Sequence, residues 1–117
     1  MNYGHMCPRY ERAIDLLGKR WTCLILRLLL AGPCRFSSLA AQIPDLSDRM
    51  LSARLRELEA DGVVERRVFP DPPVRVEYVL TDRGSALAPV VQAIQDWADR
   101  WEDDAIVTQP GGVTPPG

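Results

Sequence analysis

Apolar residues recur at helical spacing along the first third of the chain, and this pattern predicts two helices. The first is expected to begin at Pro8, which suits the first turn of a helix, and to end near Gly18. The second is expected to stop at Ala31-Gly32-Pro33, because glycine and proline together break helices. The apolar positions are Tyr10, Ala13, Ile14 and Leu17 in the first helix, and Trp21, Leu24, Ile25, Leu28 and Leu29 in the second.

Two more helices, joined by a tight turn, are predicted in the middle of the chain. Ser37 is expected to cap a short helix that Pro44 ends. Ser47 is expected to cap a second helix over residues 47–61. The leucines of this helix recur at spacings of four and three, which places Leu51, Leu55 and Leu58 on one face. Two helices in this succession predict a helix-turn-helix motif.

The pattern then changes from helical to strand-like. Residues 63–80 are rich in valine, phenylalanine and tyrosine on both sides of the connector PDPP. This composition predicts a two-stranded hairpin. In its second strand Val76, Tyr78 and Leu80 alternate with Arg75, Glu77 and Val79, which predicts one apolar face. Thr81 is expected to cap one long last helix, which Pro89 would kink or start late. The whole order predicts an α+β, mainly α, winged helix-turn-helix domain with a two-stranded β wing. The apolar positions of the last helix are Leu87, Val90, Val91, Ile94, Trp97, Ala98 and Trp101.

The composition indicates one folded domain, since 46% of the 117 residues are hydrophobic. We expect residues 7–104 to form the domain and the Pro/Gly-rich residues 105–117 to form a disordered tail. The N-terminal sequence MNYGHMCPRY lacks the apolar run of a signal peptide, and no run approaches the roughly 18 apolar residues of a membrane span. A cytoplasmic protein is therefore expected.

Cysteine, histidine and glycine usage argues against a disulfide scaffold, a metal site and an enzyme. The three cysteines are odd in number and widely spaced, and the sequence has no CxxC motif and a single histidine, His5. The spacing suggests no nucleophile–base pair, and no Gly-rich phosphate loop follows a strand. We therefore expect no cofactor, no metal and no catalytic residue.

The formal net charge of −2 is divided unevenly along the chain. Residues from Gln95 onward carry five acids and one base, so the preceding residues carry a net charge of +2 and can form a basic patch. Lys19 is the only lysine, and the other bases are arginines. Arginine suits bidentate contact with phosphate or guanine, although a genome-wide arginine bias would produce the same count.

The helix over residues 47–61 has the features of a DNA-reading helix. On a wheel of about 100° per residue, Arg49 and Arg56 fall almost in line, opposite the leucines. Ser52 and Ala53 lie beside them and are small enough for the helix to enter the major groove. The alternative is that Arg49 and Arg56 only solvate a surface and pair with a neighbouring glutamate.

The hairpin offers a second set of contacts. Arg75 follows the proline-rich tip and is expected beside or in the minor groove, whose narrow form attracts guanidinium groups. Arg66 and Arg67 alternate along the first strand, so only one is expected to face DNA; Arg67 is our candidate, but the pattern does not decide between them. The candidate DNA-contact residues are Ser37, Ser47, Arg49, Ser52, Ala53, Arg56, Arg67 and Arg75.

Several stretches of the chain resemble the HxlR-type family of bacterial transcriptional regulators. In order they are CPRYERAIDLLGKRW, GPCRFSSLAAQIPDLSDRMLSARLRELEADGVVERRVFP and PPVRVEYVLTDRG, which lie between residues 7 and 84, and the resemblance extends to about residue 101. Arg20 separates Lys19 from Trp21, where the family more often has Gly-Lys-Trp, and the acidic, Pro/Gly-rich tail lies outside the pattern. The resemblance implies a homodimer that binds double-stranded DNA through a recognition helix and a wing.

The first and last helices are the candidate dimerisation helices. A domain of this size is expected to leave part of the last helix's apolar stripe uncovered, and uncovered aromatics mark interfaces. A twofold dimer would bind a palindromic operator. The alternative is that both tryptophans pack inside one subunit. The candidate interface residues are Tyr10, Ile14, Val90, Ile94, Trp97 and Trp101.

Cys7 is the candidate redox-sensing residue. It precedes Pro8 at a helix start, where the helix dipole favours a thiolate. The resemblance implies sensing of oxidants, quinones or aldehydes at this position in several members of the family, and the alternative is a packing role. Cys23 is expected in the core, and Cys34 lies in a turn.

The sequence therefore predicts a sequence-specific, homodimeric DNA-binding transcriptional regulator. A small-molecule or oxidant effector is a further candidate partner. The alternative, from another functional class, is a protein-interaction module that has the winged fold but does not read DNA. Phosphate contacts would distinguish the two, because they make DNA affinity fall steeply with salt concentration.

Overall fold

The computed structural model describes residues 7–102. In this part of the chain every helix is too short or too polar to cross a membrane. Residues 103–104 of the predicted domain and the predicted tail, residues 105–117, lie outside it. The elements are α1 (Pro8–Leu17), α2 (Thr22–Leu30), α3 (Phe36–Gln42), α4 (Asp48–Ala60), β1 (Val64–Phe69), β2 (Arg75–Leu80), α5 (Asp82–Ser85) and α6 (Ala88–Trp101).

This order confirms the predicted winged helix-turn-helix fold. The helix pair is α3 and α4, and the wing is the antiparallel hairpin of β1 and β2. The elements group into two compact units, the first containing α1 to α5 with the wing and the second containing α6.

The core of the first unit is aliphatic. Leu51, Leu55 and Leu58 of α4 are almost fully buried, as their spacing predicts. Full burial of a leucine side chain contributes about 1.5–3 kcal/mol, so this stripe decides which way α4 is rotated about its axis. The other buried apolar residues of the unit are Ile25, Leu26, Leu29, Leu39, Ile43, Leu46, Val63 and Val64.

Both ends of α4 agree with the predicted ends. The Ser47 hydroxyl accepts a hydrogen bond from the Met50 N–H at 3.1 Å, which satisfies one of the free donors of the first turn. The helix ends at Ala60, and Gly62 follows with a left-handed φ of 73°. Glycine adopts this conformation without steric cost, so Gly62 lets the chain turn into β1.

The buried face of α2 differs from the predicted one. Trp21 precedes the helix, with a left-handed φ of 81°, and the helix begins at Thr22. Leu24 was expected inside but is 48% exposed, whereas Leu26 is fully buried. The prediction for Leu24 was wrong because almost every residue of this helix is apolar, and spacing then fails to single out one face.

The start of α3 also differs, by two residues. Arg35 is the extended residue before the helix, and its carbonyl accepts hydrogen bonds from the Ser38 and Leu39 N–H groups, each at 3.1 Å. Ser37 therefore lies in the first turn, and its assignment as the cap was wrong. The cause is that Cys34 is held in an extended bridge to β2, so the chain can turn into the helix directly after it.

A backbone bridge anchors β2 on its second edge. The Cys34 N–H donates to the Tyr78 carbonyl at 3.0 Å, and the Tyr78 N–H donates to the Cys34 carbonyl at 2.7 Å. β2 also contacts α2, α3 and α5. Residues 76–80 are consequently all half-buried, so β2 is partly covered on the face of Glu77 as well as on its predicted apolar face.

The predicted single last helix is in fact two helices. The Thr81 hydroxyl accepts a hydrogen bond from the Gly84 N–H at 3.1 Å and donates one to the Gly62 carbonyl at 2.6 Å, so Thr81 caps only the short α5. α6 starts separately, with Pro89 in its first turn. The predicted late start at Pro89 is confirmed, and the prediction of one continuous helix was wrong.

Candidate nucleic-acid interface

α4 presents its arginine face to solvent. Arg49 and Arg56 are exposed, and Ser52 and Ala53 beside them are half-buried. The ion pairs formed among residues 7–102 involve neither Arg49 nor Arg56. Their guanidinium groups are therefore available to an external phosphate or base, as predicted for a DNA-reading helix.

Arg54, the third arginine of α4, is engaged inside the protein. Its Nε donates to the Arg20 carbonyl at 2.9 Å, and its Nη1 donates to the Glu57 carboxylate at 3.2 Å. The Lys19 ammonium lies 3.5 Å from the same carboxylate oxygen. Only 16% of the Arg54 side chain is exposed. These contacts tie α4 to the corner between α1 and α2, residues 18–21.

The corner itself holds a strained residue. Trp21 has a positive φ, which costs energy for any residue except glycine. The Arg20 guanidinium lies over the Trp21 ring, 4.5 Å from its centroid, and the Arg20 carbonyl accepts the bond from Arg54. Both contacts stabilise the conformation of the corner, so the position of α4 depends on it.

The wing register distinguishes Arg66 from Arg67. Arg66 lies opposite Tyr78 and Arg67 lies opposite Glu77, so the two arginines point to opposite faces of the hairpin. Both are exposed, so burial does not decide which of the two faces DNA. Arg67 is the one that shares a face with Arg75, which makes it the better candidate for contacts made together with Arg75.

Each of these two wing arginines already has a carboxylate partner. Arg67 Nη2 lies 3.4 Å from Glu65 Oε1, and Arg75 Nε lies 3.1 Å from Glu77 Oε2. The Arg75 guanidinium also lies over the Phe69 ring, 4.1 Å from its centroid. These partners were not predicted, although residues two apart on a strand share a face and could have indicated them.

The two candidate serines lie at the starts of the paired helices. Ser37 is exposed in the first turn of α3. Ser47 is exposed at the start of α4, where its oxygen accepts the Met50 N–H. The hydroxyl protons of both serines can be donated to a phosphate oxygen.

The three cysteines are free thiols in half-buried positions. Cys7 is the residue before α1, and its carbonyl accepts the Glu11 N–H at 3.1 Å. Burial raises the pKa of the Cys23 thiol, which lies 3.6 Å from the Leu17 carbonyl, and burial also raises the pKa of the Cys34 thiol. A raised pKa lowers the thiolate fraction at neutral pH, so Cys23 and Cys34 are poor nucleophiles.

Large apolar side chains are exposed on α1 and on α6. Trp97 and Trp101 are 59% and 67% exposed, unlike the alternative in which they pack inside one subunit. α6 also borders a shallow surface hollow of about 580 Å³, lined by Pro89, Val90, Ala93, Ile94 and Trp97. The other exposed members of the candidate interface are Tyr10, Ile14, Val90 and Ile94.

A family comparison decides the class of protein to which this domain belongs. The sequence profile of the HxlR-like helix-turn-helix family matches residues 16–105. The chain belongs to this family. It is a DNA-binding transcriptional regulator, and regulators of this type are usually dimeric.

Relatives and solved structures agree with this assignment. The HTH-type transcriptional regulator YvaP of Bacillus subtilis (strain 168) is 53% identical over 107 residues, which span 92% of this chain and 99% of YvaP. The reduced form of the transcriptional regulator YodB from B. subtilis has a TM-score of 0.76 at 48% identity and covers 85% of this chain and 97% of YodB. The redox regulator HypR in its oxidized form has a TM-score of 0.77 at 37% identity, covering 83% and 99%. Diamide-treated and quinone-bound forms of YodB are also similar, each with a TM-score of 0.71.

We predict that Arg54→Ala lowers the free energy of unfolding by about 1–3 kcal/mol, because it removes the donor to the Arg20 carbonyl and leaves the Glu57 carboxylate with only the Lys19 ammonium as partner. Arg56→Ala is the matched control, since Arg56 is exposed on the same helix and its loss should change stability by no more than about 0.5 kcal/mol. Urea denaturation measures both. Equal effects of the two substitutions would contradict the role assigned to Arg54.

Proposed function

We propose that this regulator binds a palindromic operator as a homodimer, with α4 in the major groove and the wing at the flanking backbone or minor groove. One observation carries the proposal. Arg49 and Arg56 are exposed in line on α4, about two turns apart, outside the ion pairs formed among residues 7–102, on the face opposite the buried leucines.

The proposed contacts follow from the size and chemistry of the side chains. The major groove is about 12 Å wide and admits one helix, provided that the side chains nearest to the base edges are small. Ser52 and Ala53 meet this need, while Arg49 and Arg56 can bond guanine edges or phosphates. Ser37, Ser47, Arg67 and Arg75 are the proposed backbone and minor-groove contacts.

The proposed dimer uses the exposed apolar residues of α1 and α6. Tryptophan, tyrosine and aliphatic residues in this arrangement are typical of the buried centre of an interface. A twofold axis would place the two copies of α4 about one DNA turn, roughly 34 Å, apart. The operator would then contain two inverted half-sites.

We further propose that Cys7 makes DNA binding responsive to oxidants or electrophiles. YodB is known in diamide-treated and quinone-bound forms, and HypR is named a redox regulator, which supports such a response in this chain. Among the three thiols, burial raises the pKa of Cys23 and Cys34, which leaves Cys7 as the candidate. Its place at the start of α1 would connect a modification to the proposed dimer interface.

We expect Arg56→Ala to weaken operator binding by about 1–3 kcal/mol, because it removes a base or phosphate contact made by α4. A mobility-shift assay at a fixed salt concentration measures this, using duplexes selected from a random pool by the wild-type protein. Glu59→Gln on the same helix is the control for a change of charge alone. Unchanged affinity of Arg56→Ala would exclude α4 as the reading helix.

Sedimentation at micromolar concentration should give a mass of two chains for the wild type. Trp97→Glu should shift the mass toward one chain, because a charge would be buried in the proposed interface. Gln92→Glu, on the opposite side of α6, is the matched control and should remain dimeric. A wild-type mass equal to one chain would contradict the proposed dimer.

Diamide or benzoquinone should release the wild-type protein from operator DNA, and Cys7→Ser should remain bound under the same treatment. Cys23→Ser and Cys34→Ser are the controls, and both should be released like the wild type because their thiols are poor nucleophiles. Mobility shift with and without reagent measures release. Release of the Cys7→Ser protein would disprove sensing at Cys7.

A further inference from the structure

One face of the wing carries two arginines and two glutamates in alternation. The charged wing face consists of Glu65, Arg67, Phe69, Arg75 and Glu77, which the strand register places on the same side of the hairpin. Its formal charge is zero. A DNA phosphate that approaches this face would therefore meet no net attraction while the two ion pairs are closed.

Each glutamate contacts a guanidinium group that a DNA phosphate could also bind. Arg67 Nη2 lies 3.4 Å from Glu65 Oε1, and Arg67 also stands directly opposite Glu77 in the register. Arg75 Nε lies 3.1 Å from Glu77 Oε2. Guanidinium groups bind carboxylates and phosphates through the same N–H donors, so the two anions compete for these arginines.

The exposure of the pairs makes the exchange feasible. The Arg67 and Glu65 side chains are about half exposed, and solvent-exposed pairs contribute little to folding, so opening this pair costs little. The Arg75 and Glu77 side chains are 41% and 26% exposed, so opening this second pair costs more. The Arg75 guanidinium also stacks on Phe69, and this contact does not depend on the carboxylate. When Glu77 moves away, Phe69 can keep Arg75 on the outer side of the wing.

We propose that Glu65 and Glu77 are intramolecular competitors of the DNA phosphate, which weaken the attachment of the wing to any duplex. The inference rests on the proposed function, in which the wing touches DNA. According to this proposal, the wing binds DNA only when phosphates replace both carboxylates on the arginines. The two glutamates therefore limit the affinity of the wing for DNA of any sequence. α4 is left as the main source of affinity.

The test compares Glu65→Gln, Glu77→Gln and the double variant with the wild type on a short duplex of arbitrary sequence, by fluorescence anisotropy over a series of salt concentrations. Glutamine keeps the shape and removes the charge. The double variant should bind about tenfold more tightly at moderate salt, since two carboxylates no longer compete with phosphate for the arginines. Equal affinities of the double variant and the wild type would overturn the proposal.

Two controls separate local competition from a general change of charge. Asp71→Asn removes one acid from the wing tip, where Asp71 is outside the ion pairs formed among residues 7–102, and should change affinity less than Glu77→Gln. In an Arg75→Gln background, Glu77→Gln should increase DNA affinity much less than it does in the wild type. Two results would contradict the pairwise mechanism. One is an increase in affinity by Asp71→Asn as large as that by Glu77→Gln, and the other is an equally large increase by Glu77→Gln when Arg75 is absent.

The same series distinguishes this inference from the proposed function. If Arg67→Gln and Arg75→Gln weaken binding while the glutamate substitutions leave it unchanged, the wing contacts DNA and only the competition is disproved. If the arginine substitutions leave binding unchanged as well, the proposed wing contact itself is wrong. Thermal unfolding of every variant shows whether the hairpin is intact.

Discussion

The burial of one leucine stripe determines what the rest of the domain can do. Leu51, Leu55 and Leu58 are almost inaccessible to water, and rotating α4 by one residue, about 100°, would expose part of them at a cost of several kcal/mol. The stripe therefore fixes Arg49 and Arg56 outward. The hydrophobic core and the proposed DNA-reading face are two sides of one helix, so packing and recognition cannot vary independently.

Arginine serves three different purposes in this small domain, and the partners of each residue reveal which. Arg49 and Arg56 lie outside the ion pairs of residues 7–102, Arg54 is bonded to a carbonyl of the α1–α2 corner, and Arg67 and Arg75 face neighbouring carboxylates. The net charge does not show these differences, since the chain as a whole is slightly acidic. The contacts of each arginine therefore indicate where an anion can bind better than the net charge of the chain does.

Local signals predicted α4 well and the other elements less completely. Ser47 and Gly62 act within one turn of the helix ends, so their effect is visible in the sequence alone. In α2 nearly every residue is apolar, and the face that packs inward is chosen by the helices and strand around it. The late start at Pro89 could be foreseen, but the separate α5, capped by Thr81, could not.

Contacts between residues far apart in the sequence could not be predicted from the spacing of residue types. Arg54 and the Arg20 carbonyl are 34 positions apart, and only the folded chain brings them within 2.9 Å. The same holds for the bridge between Cys34 and Tyr78. The ion pairs of the wing could have been predicted from the sequence, because Glu65 and Glu77 are each two residues from an arginine on the same strand.

The bridge between Cys34 and Tyr78 has a mechanical consequence. An isolated two-stranded hairpin is only marginally stable, but here a third backbone segment clamps its inner strand to the loop that follows α2. The bridge thus attaches β2 to the first compact unit at Tyr78. In the proposed complex, the spacing along the duplex between the contacts of α4 and those of the hairpin would therefore be set by the fold of the protein.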